Sequence, residues 1–116
     1  ADYAKLLQMT LNGGEYNGER LVSRKTIELM TTDHLGEIEF RPGQGFGLGF
    51  SIATDLGLRG TLGSEGEYAW GGAYHSTYWV DPTEGLVVVY LTQIIPATGL
   101  EDHITLRNGV YQSIVD

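Results

Sequence analysis

Between residues 67 and 93 three strand-length runs follow one another with only short turns between them. They cover about 67 to 72, 75 to 81 and 86 to 93, and Asp81-Pro82-Thr83-Glu84-Gly85 is the turn joining the last two. Parallel neighbours need a crossover of about a dozen residues or more, which this spacing excludes, so the runs must form an antiparallel meander. Just upstream, "GFGLGFSIA" alternates strictly, with Phe46, Leu48, Phe50 and Ile52 on one face and Gly45, Gly47 and Gly49 on the other. That period predicts a fourth strand whose bare face lets a neighbour approach the backbone.

Helical periodicity flanks this block on both sides. Tyr3, Leu6, Leu7, Thr10 and Leu11 form a stripe over residues 2 to 12, and Gly13-Gly14 stops it. Asn17-Gly18 marks a tight turn. Ser23 is placed to cap a second helix reaching about Thr32, with Val22 stapled against Ile27. Residues 33 to 44 read as a loop closed by Arg41-Pro42-Gly43, and 55 to 67 as a Gly-rich connection. A last helix is expected from about 101 to 115, with Leu100, Ile104, Arg107, Val110, Tyr111 and Ile114 on or beside one stripe. Helices segregated from a run of strands predict an α+β architecture, an antiparallel meander covered by helices. At 116 residues the chain is one domain or a piece of one.

Several functions are excluded by what the chain carries. Its net charge of -8 makes nucleic acid an unsuitable partner, because phosphate binding needs a basic footprint. The longest apolar run, Leu86 to Leu91, is far too short for a membrane span. No signal segment is visible, which leaves cytoplasmic and exported locations equally open. With no cysteine there is no disulfide, zinc–thiolate site or thiol nucleophile. "GQGFGLG" spaces its glycines every second residue and does not satisfy G-x-G-x-x-G, so no nucleotide cofactor is expected. His34, His75 and His103 are far apart in sequence, and no metal site is predicted. None of Ser23, Ser51, Ser64, Ser76 and Ser113 has Lys three positions on, and no Tyr has Asn two positions on. Ser76 and His75 are expected to be neighbours in a strand, pointing to opposite faces and unable to pair. By itself, then, the chain lacks a nucleophile.

One stretch remains, "GEYAWGGAYHSTYWVDP" at 66 to 82, with two glycines between its two tryptophans. Together with "DYAKLLQMTLNGGEYNGERLVSRKTIELMTTDHLG" and "GFGLGFSIATD", it resembles the C-terminal third of the serine β-lactamase-like superfamily, in the branch of class C β-lactamases and family VIII carboxylesterases. The resemblance covers nearly the whole chain in order. It implies an acyl-transfer hydrolase whose serine lies in S-x-x-K, aided by a tyrosine in Y-x-N, with no metal or organic cofactor. It puts Trp70-Gly71-Gly72 at the third motif and makes the backbone N–H of Ala73 an oxyanion-hole donor. Gly71 and Gly72 then give clearance, Trp70 walls the pocket, and Tyr74 and His75 line it. Trp70 where lactamases carry Lys removes a cation and argues for neutral esters over β-lactam-like substrates. The S-x-x-K and Y-x-N segments, upstream in the superfamily, are missing here. The chain is therefore expected to be a fragment, inactive alone, that needs the N-terminal part of the same enzyme or a second chain and self-associates without it. A rival reading is a non-catalytic module stacking carbohydrate or peptide on Tyr68, Trp70, Tyr74 and Trp79. Another is a penicillin-recognition relative without turnover.

Overall fold

The computed structural model describes residues 1–116. Its elements run α1 (Asp2–Leu11), β1 (Glu15–Tyr16), β2 (Glu19–Arg20), α2 (Arg24–Met30), β3 (Gln44–Phe46), β4 (Ser51–Ala53), α3 (Leu56–Arg59), β5 (Tyr68–Gly71), β6 (Thr77–Asp81), β7 (Leu86–Tyr90) and α4 (Asp102–Gln112). β3 to β7 form one antiparallel sheet in sequence order, an α+β meander as the short turns require. β1 and β2 make a separate hairpin. Both of its central residues, Asn17 and Gly18, have positive φ (51° and 80°), which is why that dipeptide suits the turn. No helix is long and apolar enough to cross a membrane.

The two faces of the sheet differ in chemistry. Alternation along β6 sends Tyr78 and Val80 towards α1, where they form the apolar core with Leu7, Ile52 and Tyr68. Thr10, buried on α1, ties that helix to the sheet through a 2.7 Å bond to the Tyr68 hydroxyl. The opposite face, under α4, is polar. Glu67 is almost fully buried there between Arg59 at 2.9 Å and Arg107 at 2.8 Å. Tyr111 of α4 donates to Asp81 Oδ2 at 2.8 Å and accepts from Trp79 Nε1 at 3.1 Å. Burial first, then the bond to Asp81, raises the Tyr111 pKa, so its proton stays to serve that bond.

Two expectations fail. "GFGLGFSIA" is not one strand but the β3–β4 hairpin, so the sheet has five strands where four were expected. Its alternation breaks at residues 47 to 50, where the Gly47 N–H bonds Phe50 O at 2.7 Å and Gly49 takes φ +96°. A Cβ on Gly47 would lie 2.1 Å from Met30 O, so this glycine allows α2 to pack against the turn and Leu48 N–H to reach the same carbonyl at 2.9 Å. The second failure concerns residues 75 and 76. β6 begins at Thr77, and His75 and Ser76 belong to the turn before it. Within the expected connection, Asp55 caps a single helical turn by accepting from Leu58 N–H at 2.9 Å.

Candidate functional site

β5 is paired with β6 along its whole length, but with β4 only through Tyr68 and Ala69. Trp70 and Gly71 therefore project past β4 with one edge open. The chain then turns: Gly72 N–H bonds Ser76 O at 3.0 Å and His75 N–H bonds Gly72 O at 3.1 Å. Residues 72 to 75 are thus a β-turn with Ala73 and Tyr74 at its centre, and neither central N–H has an acceptor within the chain. Ala73 borders an open cavity of about 500 Å³ whose lining also includes Trp70, Gly71, Gly72 and His75. Tyr74, expected in the same pocket, is instead exposed and outside the lining.

The turn is held from two directions. Residues just after β7 run beside it: Tyr74 O accepts from Ile94 N–H at 3.0 Å and Thr92 Oγ1 at 2.7 Å. Ser76 Oγ donates to Thr92 O and accepts from Thr92 N–H. From the other side comes the first turn of α4. His75 Nε2 sits 2.6 Å from Asp102 Oδ1, and Tyr90 OH donates to Asp102 Oδ2 at 3.0 Å. His103 Nε2 donates to His75 O at 2.8 Å, and the two imidazole rings stack 3.8 Å apart. These contacts hold His75 at φ +75°, a left-handed conformation that costs a side-chain-bearing residue about 1–3 kcal/mol. The bond from His75, then the one from Tyr90, lowers the Asp102 pKa, and the bond to Asp102 raises that of Tyr90.

Two of the histidines that sequence separates are therefore neighbours. Ligating atoms of His75, Asp102 and His103 lie within 4.8 Å of one another. Each is already engaged, however, with the imidazoles face to face, so coordination would require breaking the bonds that hold the turn. The trio reads as a hydrogen-bonded clasp. His34 is elsewhere, bonded to Leu29 O at 2.7 Å.

Trp70 packs against Phe46 edge-on at 5.1 Å and over Phe40 at 6.4 Å. The Arg41 guanidinium lies 4.7 Å from the Phe40 ring centre and 5.6 Å from that of Trp70. Arg41, Gln44 and His103 also line the cavity; sequence reasoning passed over the first two and set His103 aside as too far from the other histidines. Arg41 sat in what read as an ordinary turn signal, and His103 and Asp102 on what read as an ordinary helix.

An antiparallel sheet with a helix on either face, ending at an open cavity beside a Gly-Gly turn, is the architecture of the C-terminal portion of a β-lactamase-like hydrolase. Residues 1–108 match the family described as Beta-lactamase, and the chain belongs to that family. Protein Rv1367c of Mycobacterium tuberculosis is 34% identical over 107 residues, covering 82% of this chain and 27% of the relative. A putative D-alanyl-D-alanine carboxypeptidase of Escherichia coli O157:H7 is 32% identical over 94 residues, 78% of this chain and 20% of its own. Among solved structures, EstCE1, a hydrolase with promiscuous acyltransferase activity, superposes with TM-score 0.79 at 26% identity, over 95% of this chain and 29% of that one. Simvastatin synthase (LovD) from Aspergillus terreus shares the fold, with TM-score 0.71 at 21% identity, over 94% and 33% of the two chains. The chain thus spans about a quarter of the length of Rv1367c.

Proposed function

We propose that this chain supplies one half of a serine hydrolase site that cleaves esters through a seryl acyl-enzyme, with Ala73 N–H as an oxyanion donor. The observation carrying this reading is that N–H, left without an acceptor at the rim of a cavity and fixed there by a clasped turn. Attack of a serine on the ester carbonyl moves the carbonyl π electrons onto oxygen. A preorganised N–H about 2.7–3.1 Å from that oxyanion stabilises the transition state by about 3 kcal/mol. Collapse expels the alcohol, and water then releases the acid from the serine. The serine and its lysine come from outside these residues, since no S-x-x-K occurs in them.

Gly72 supports the same reading. Nothing lies within 4 Å of a Cβ built on it, so packing within this chain does not call for glycine there. Clearance for a substrate does. The rival aromatic platform loses two of its four members, because Tyr68 and Trp79 are each only 2% exposed and cannot stack a ligand. The protein joined to its serine-bearing part is expected to hydrolyse short p-nitrophenyl esters in a steady-state assay, and the 116-residue chain alone is not. Turnover by this chain alone would refute the division of the site.

A further inference from the structure

We infer that the cavity takes an acyl substrate carrying an anionic group, a carboxylate above all, and that Arg41 is the residue that holds it. The acyl part rests on the function proposed above; the anion part rests on the charge layout of the cavity. In a chain of 15 acidic residues and net charge -8, no Asp or Glu lines this cavity. What lines it are Arg41, two imidazoles from His75 and His103, and neutral donors such as Gln44.

The ion-pair pattern singles out the same residue. Lys5, Arg20, Arg24, Lys25, Arg59 and Arg107 each have a carboxylate partner. Arg41 alone among the chain's 7 Lys and Arg residues has none. Glu37 and Glu39 of the same loop line a neighbouring groove that Arg41 also borders, and neither pairs with it. Resting on the faces of Phe40 and Trp70 fixes the guanidinium while leaving its N–H fork open for a carboxylate. Arg41 and Ala73 line the same cavity of about 500 Å³, so cation and oxyanion donor face one space. The expectation of neutral esters, drawn from the missing lysine, changes accordingly: Trp70 does not remove positive charge from the site but seats it on another residue.

The test compares mono-p-nitrophenyl glutarate with p-nitrophenyl pentanoate, in the protein that includes the serine-bearing part, for wild type, Arg41→Lys and Arg41→Gln. Arg41→Gln is expected to raise KM for the anionic ester at least tenfold more than for the neutral one, with Arg41→Lys between, and 0.5 M NaCl is expected to reproduce part of the effect on wild type. Equal changes for both esters would overturn the assignment and leave Arg41 as packing for Trp70. If wild type hydrolyses neither ester, the hydrolase reading fails, and a tryptophan-fluorescence titration of the same protein with glutarate decides the anion site by itself. Saturable binding that Arg41→Gln abolishes and glutaramide does not show upholds it; no binding overturns it.

Discussion

At position 71 a methyl group would sit 2.8 Å from Ser76 O, whereas at position 72 it would meet nothing within 4 Å. The two glycines of the motif therefore have different reasons to exist. Gly71 lets the β5–β6 turn close on itself, and Gly72, with no packing reason to be glycine, is the one we propose for substrate clearance. Gly71→Ala is expected to destabilise the fold by about 1–3 kcal/mol through overpacking. Gly72→Ala is expected to leave the melting temperature level or slightly raised, since it only restricts the unfolded chain by up to about 1 kcal/mol, yet to slow ester turnover severalfold. Thermal melts beside a p-nitrophenyl ester assay separate the two, and a large fall in melting temperature for Gly72→Ala would contradict the assignment. Sequence drew attention to the stretch from Trp70 to His75 because Gly-Gly between aromatics is unusual and resembles a known motif, but it did not show that Tyr74 turns away from the cavity its neighbours line. The left-handed φ of His75 was not legible, because nothing in a histidine's identity announces it. Nor was Asp102, whose bond to His75 crosses 27 positions of sequence.

Helix α4 is the element that joins the turn to the rest of the fold. Its first turn carries the clasp, through Asp102 and His103, and its last carries Tyr111 into the polar layer. Periodicity located this helix, but it could not show that the helix covers a layer of buried charge, since Glu67 and Asp81 lie in a loop end and a strand far away in sequence. The β3–β4 hairpin was missed for a related reason: alternate glycines satisfy a strand's period as well as a turn's need for positive φ, and only the contact with Met30 decides between them. The clasp has a pH signature whose sign follows from Asp102. Facing His75, Tyr90 and His103, its carboxyl titrates lower in the folded chain than the ordinary value near 3.9. Its contribution to stability is therefore complete above about pH 4 and is lost as pH falls through the depressed folded value. Asp102→Asn is expected to lose stability less steeply than wild type as pH falls below about 4, because it has no such proton to take up. Superimposable acid melts would show that the clasp does not stabilise the fold.

On the scale of the molecule, the sheet ends at β7, whose only strand partner is β6. The segment that follows β7 carries large exposed apolar side chains, among them Leu91 at 67% and Ile95 at 60% exposure. A shallow groove bordered by Tyr3, Tyr78, Val89 and Leu91 continues the patch. An unpaired strand edge next to apolar surface is a template for association. The chain covers 27% of Rv1367c, and we propose that the remainder of a protein of that length covers this face when the two are joined. The missing S-x-x-K raises the expectation of a partner but says nothing of where one would sit, because an edge strand and a central one share the same apolar pattern in Leu86 to Tyr90. The isolated chain is expected to elute from size-exclusion chromatography as dimers or larger species that increase with concentration, and Leu91→Lys is expected to shift it towards monomer by placing a charge beside the edge. A monomer at every concentration in the wild-type chain would mean that this face is stable in water and that the partner docks elsewhere.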